Sequence, residues 1–230
     1  MNKDVEEFLS DITWCFKERE KIEIIGEKSF QCSAEFEGTF PQLTKLLSKA
    51  RITVIQYGNV NYELFGWKHN VSSQSLGWLC LEPLKGQNIN KSLHPNHSVL
   101  LQNFGGITER WNEPLDTWLV NLNNALTYEN IKVGFGSMED IFQELCEEEG
   151  VEIKVNTSDF ISFAFEANGN ITMYHKISGK VLMYAHDHNF EHLISFSNYP
   201  EYTLYEIESC ETLNDWIENI ASQWLRHIKM

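Results

Sequence analysis

The chain has 230 residues, 42% of them hydrophobic and 13% aromatic, with a mean hydropathy of -0.34; this excludes a disordered polymer and allows a sizeable core. The formal net charge of -15, from 18 Lys and Arg against 33 Asp and Glu, argues against a nucleic-acid partner, because binding one needs cations to neutralise phosphates. No run approaches the roughly 18 uninterrupted apolar residues of a membrane span, and the N-terminus is acidic where a signal peptide is apolar, so a cytoplasmic protein with no membrane partner is expected.

Val5, Phe8, Leu9, Ile12, Cys15 and Phe16 recur at helical spacing and predict an amphipathic N-terminal helix. Strand-like runs follow at 21–25, 29–36, 52–57, 62–67 and 76–82, punctuated by Gly26, Gly38, Pro41, Gly58 and Gly77, with a short helix around 42–49. Pro95 suits the first turn of a second helix with an apolar stripe of Leu100, Leu101 and Phe104, stopped by Gly105-Gly106. A third helix is predicted from Ser137 to Glu149, with Ser137 and Asp140 at capping-box spacing, Met138, Ile141, Phe142 and Leu145 inward, and an acidic outer face. From 160 onward, turns at Asn168-Gly169 and Ser178-Gly179 predict a three-stranded antiparallel meander, followed by strands in LISFSNY and YTLYEI. Leu213, Trp216, Ile217, Ile220, Ala221, Trp224, Leu225 and Ile228 then fit a C-terminal helix capped by Thr212 and Asp215. Strands segregated from helices predict an α+β fold, an antiparallel or mixed sheet with flanking helices, divided as 1–89 and 90–230.

Five scattered cysteines without a C-x-x-C pair indicate neither a disulfide framework nor a thiolate zinc site, and read as small buried hydrophobes. Charge is more informative. Residues 1–132 carry 16 acids and 13 bases, whereas 133–230 carry 17 acids and 5 bases, and no Lys or Arg lies between Lys180 and Arg226. Such acids either keep the protein soluble or form a docking face for a basic partner, with Glu147, Glu148, Glu149, Glu206 and Glu208 as its candidates. Trp111 beside Arg110 is either a core residue or part of an interface, since aromatic and Arg side chains dominate binding hot spots.

Two catalytic patterns compete with these readings. His188-Asn-Phe-Glu191-His192, next to His186, matches an H-x-x-E-H zinc-peptidase pattern, but that chemistry needs a helix where the flanking runs read as strands. Gly134-Phe135-Gly136-Ser137 before a helix lacks a third glycine, and Glu139 and Asp140 would repel a phosphate, so a capped turn is the better account.

The order of signals resembles the SUKH superfamily, which includes bacterial immunity proteins and a yeast regulator of cell-wall synthesis. The matching residues are Leu93, Pro95, Leu100, Leu101, Phe104, Gly105 and Gly106, then Phe160, Ala164, Asn168, Gly169, Gly179, Lys180, Val181, His186 and Asp187. The insert between Gly106 and Phe160 is long, and the first 90 residues have no counterpart in the pattern. The resemblance implies a non-enzymatic protein without a cofactor that neutralises a secreted toxin of nuclease or deaminase type. The acidity agrees independently, because such toxins tend to be basic at the substrate groove. The alternatives are a regulatory scaffold and a metal hydrolase built on His188, Glu191 and His192.

Overall fold

The computed structural model describes residues 2–87, 89, 92–118, 122–186 and 192–229. Among these residues the chain forms twelve β-strands and six α-helices, and every described strand pairing is antiparallel, so the fold is α+β with flanking helices. It divides into two compact units: residues 1–88, 99–120 and 217–230 form the first, and 89–98 and 121–216 the second. No helix of the described residues is long and apolar enough to cross a membrane.

In the first unit β1 (Ile22–Lys28), β2 (Arg51–Tyr57), β3 (Val60–Lys68), β4 (Ser75–Leu81) and β5 (Ile107–Trp111) pair in chain order as a meander. The Asn2 side chain caps α1 (Lys3–Asp11) by accepting from the Asp4 amide. Val5, Phe8 and Leu9 of α1 pack with Ile12 and Phe16 onto Ile55, Leu64, Leu79 and Trp111. Asp4, buried beneath, accepts from Arg51 Nε at 2.9 Å and Nη2 at 2.8 Å, and Gly66 leaves room for it: a Cβ there would lie 2.3 Å from Asp4 Oδ2. Because successive strand residues face opposite sides, Phe65, Trp67 and Trp78 point the other way. There they join Phe104 and Trp224 in a ring network with centroids 5.0 to 6.2 Å apart.

The predicted strand at 29–36 is not formed. Its alternation of Phe30, Cys32, Ala34 and Phe36 mimics a period of two, but the Ser33 hydroxyl accepts from the Phe36 amide and starts α2 (Ala34–Thr39). One helical turn then brings Phe36 and Phe40 together in the core at 5.4 Å. The helix around 42–49 is α3 (Pro41–Leu47), with Pro41 at its first turn.

In the second unit the strand order is β6 (Leu122–Ala125), β8 (Phe160–Glu166), β9 (Ile171–His175), β10 (Val181–Tyr184), β12 (Leu204–Ile207), β11 (Leu193–Ser195), and β7 (Lys132–Val133) also pairs β8. The predicted meander is β8–β9–β10, its turns made possible by Gly169 at φ 98° and Gly179 at φ 71°. Helix α5 (Glu139–Glu148) lays Phe142 and Cys146 on Ile171, Met173, Leu182, Tyr184 and Leu204. Its predicted cap is not formed: Gly136–Met138 is a 3-10 turn, and no side chain caps the helix at Met138. The Glu139 carboxylate instead reaches back to the preceding turn, accepting from the Phe135 amide and the Thr157 hydroxyl. The predicted C-terminal helix is the remaining one, α6 (Leu213–Leu225), after α4 (Pro95–Asn103). Its capping box is formed, the Thr212 amide donating to Asp215 at 2.8 Å and the Asp215 amide to the Thr212 hydroxyl at 3.3 Å. Ile228 lies past its end, in a β-bridge with His69.

Candidate partner-binding surface

The charge imbalance follows the structural division. The second unit carries 17 acids against 5 bases, a net of -12, and the first carries 16 against 13, a net of -3. Within the second unit, Phe142 and Cys146 turn α5 so that Asp140, Glu144, Glu147, Glu148 and Glu149 face outward. Glu147 and Glu148 end the helix and Glu149 is its C-cap, with Gly150 following at φ 67°. None of the three forms an ion pair with a described residue. A helix C-terminus carries partial negative charge and favours cations, yet no Lys, Arg or His lies in the last turn of α5.

Glu206 and Glu208 stand on or just beyond β12. Glu206 accepts from Lys180 Nζ at 2.6 Å, and Glu208 lies 3.1 Å from His192 Nδ1. A groove of about 490 Å³ runs past them, bordered by Lys180, Val181, Ile194, Ile207 and Glu211. Lys180 also places Nζ 5.2 Å from the centroid of the Phe196 ring, which stacks on Tyr199, itself stacked on Phe142. Sequence reasoning passed over Lys180, Ile194 and Phe196 as parts of the surface. The one legible signal was that Lys180 is the last cation before a 45-residue stretch without one, 181–225.

The remaining candidates are placed differently. Trp111 is 0% exposed in the core under α1, with the Gly77 backbone against its indole, so it presents no surface to a partner. Arg110 is largely buried and pairs with Glu113 at 2.7 Å and Glu109 at 3.2 Å. His188 and Glu191 lie outside the described residues, as does Asp187. His186 donates its backbone amide to Asn170, and exposed His192 pairs with Glu208. Among the described residues no group of three or more His, Cys, Asp or Glu side chains is arranged to hold a metal ion. The Gly134–Ser137 turn uses an anion of the chain's own, the Glu139 carboxylate. The five cysteines are unbridged thiols, with Cys80, Cys146 and Cys210 buried and Cys15 and Cys32 half-buried.

Comparison with protein-family models, curated proteins and solved structures finds no match to this chain. The site therefore rests on its own chemistry. One further constellation, His97 with Tyr174, resembles a catalytic pair in composition. His97 is fully buried, and its Nδ1 shares a 2.9 Å hydrogen bond with the Tyr174 hydroxyl. Burial lowers the His97 pKa to about 4, helped by nearby His94 and only partly opposed by the Leu126 carbonyl. Burial likewise pushes the Tyr174 phenol up. Both groups are neutral at pH 7, and neither is exposed to a substrate, so this pair is read as part of the interior.

Proposed function

We propose that the chain is a non-catalytic binding protein whose second unit captures a basic protein partner, and that the partner is a toxin domain of the kind neutralised by the SUKH immunity proteins it resembles. The observation that carries this reading is the crowding of Glu147, Glu148 and Glu149 at the negative end of α5, with no basic residue in that last turn. That arrangement costs helix stability, so it is the local departure expected where a surface serves binding. A net charge of -12 on one compact unit steers a cationic partner toward this face and repels acidic ones. Residues of the first motif quoted for that resemblance lie in the interior. Leu100, Leu101 and Phe104 are buried, and Gly105 passes where a Cβ would lie 2.1 Å from the Leu81 carbonyl oxygen.

The test is capture of the partner from the native cell with the full chain as bait, then reconstitution of the two purified proteins. The reading requires a stoichiometric complex with one basic protein, loss of that protein's toxic activity, and an association rate that falls steeply with salt. A partner that is acidic, or whose association ignores ionic strength, would overturn it.

A further inference from the structure

The sheet of the second unit is covered unevenly on one face. Alternation places Lys180, Leu182 and Tyr184 on the same side as Leu204, Glu206 and Glu208. Leu182, Tyr184 and Leu204 lie under Phe142 and Cys146 of α5. The same side continues past the helix to Glu206, whose partner across the strand pair is Ile194, 51% exposed. The groove of about 490 Å³ lies against this strip, with Ile194 as its exposed apolar lining and Glu206, Glu208 and Glu211 as acids, while Val181 and Ile207 border it from positions whose side chains turn to the other face. Lys180 is the cation that the described residues place in it, its ammonium held between the Glu206 carboxylate and the Phe196 ring. The chain itself thus displays what this cradle accommodates: a positive group with one flank on a carboxylate and the other on an aromatic face.

We propose that the groove receives an arginine side chain of the basic partner, presented on an extended segment, and that Lys180 is a tethered competitor that the arginine displaces. This rests on the reading of the second unit as a binder of basic protein surfaces, and adds the place and the residue type. A planar guanidinium fits the cradle better than an ammonium. It pairs with a carboxylate through two parallel N–H donors, stacks on an aromatic ring, and is more weakly hydrated. The aliphatic stem of the arginine lies along Ile194, and further bases of the segment meet Glu208 and Glu211. Displacement of Lys180 is easy, because its pair with Glu206 is half-exposed on both sides, and such surface pairs are weak.

The probe is a fluorescein-labelled peptide, Ala-Arg-Ala-Arg-Ala, titrated into the full-length protein at low salt and followed by anisotropy, with the lysine-containing analogue as control. The expected results are about fivefold weaker binding for Glu206→Gln and about threefold tighter binding for Lys180→Met, since exposed charge contacts contribute up to roughly 1 kcal/mol each. The arginine peptide should bind better than the lysine one. A second readout follows the Lys180 side-chain methylene resonances by NMR, which the Phe196 ring current shifts and which should return to ordinary positions on saturation. Unchanged or weaker binding by Lys180→Met, together with unmoved Lys180 resonances, overturns the proposal. So does a wild-type protein that ignores the peptide. If charge reversal at Glu147, Glu148 and Glu149 abolishes peptide binding while Glu206→Gln does not, the groove is wrong and the acidic-surface reading stands. Failure of that broader reading shows separately, as the absence of any salt-sensitive complex with a basic protein.

Discussion

Trp111 and His97 are side-chain types that function often recruits, and burial assigns both to the interior. Trp111 fills the space between α1 and the sheet, so Trp111→Ala should lower stability by about 3–5 kcal/mol, the cost of a large core deletion, as read by chemical denaturation. Binding per folded molecule should stay unchanged. His97 makes a prediction in pH. Its folded pKa of about 4 lies below the ordinary 6.5, so the unfolded chain takes up the proton first as the solution is acidified. Stability is fully present above about pH 6.5 and is lost as the pH falls toward 4, by on the order of 3 kcal/mol. His97→Asn can keep an acceptor near Tyr174 but cannot titrate, so its denaturation free energy should show a flatter acid limb than the wild type. The sequence left Trp111 between core and interface and gave no sign of the depth of His97, since a His four residues before a Leu carries no mark of burial.

Among the elements, the helices differ in where their ends are satisfied. The cap of α6 is local, Thr212 and Asp215 within one turn, and was therefore readable. The start of α3 is satisfied from a distance: Glu218 of α6 accepts from the amides of Gln42 at 2.9 Å and Leu43 at 3.1 Å. A carboxylate 175 residues away leaves no trace in local sequence. Glu218→Ala should cost about 1–2 kcal/mol by leaving two amides unsatisfied at a helix start, measured by thermal or denaturant unfolding. Burial raises the Glu218 pKa despite those two amides, so its stabilisation is fully present below the ordinary carboxylate range and declines as pH rises through the raised value. Against Glu218→Gln, the wild type should lose ground with rising pH. Helix α2 shows the converse failure, since a run of alternating apolar residues was overruled by a serine cap and two aromatic residues one turn apart.

For the whole molecule the governing quantity is charge, and it is divided between the units as -3 and -12. A compact unit with a net charge of -12 repels itself, which favours any change that adds cations to it. Replacing Glu147, Glu148 and Glu149 together by Lys should therefore raise the melting temperature slightly, because each cation also suits the C-terminal end of α5. The same variant should associate with a basic partner at least about tenfold more slowly at low salt, the difference shrinking as salt is added. Stopped-flow association and calorimetry on one sample read the two effects, which have opposite signs. A surface kept acidic only for solubility would show the stability gain without the loss in rate.

Read alone, the sequence determined the fold class, the β8–β9–β10 meander, the C-terminal helix with its cap and the location of the excess acid. Each of these is written in neighbouring residues: a hydrophobic period, a glycine in a turn, a reciprocal cap or a sum of charges. Tertiary structure alone decided that residues 99–120 and 217–230 cluster with the first 88, that Trp111 is interior, and that Lys180 meets Glu206 and Phe196. Those outcomes depend on which segments meet after the chain has closed loops of tens to hundreds of residues. Local propensity carries no information about such meetings, because burial and pairing are properties of the space the segments come to share.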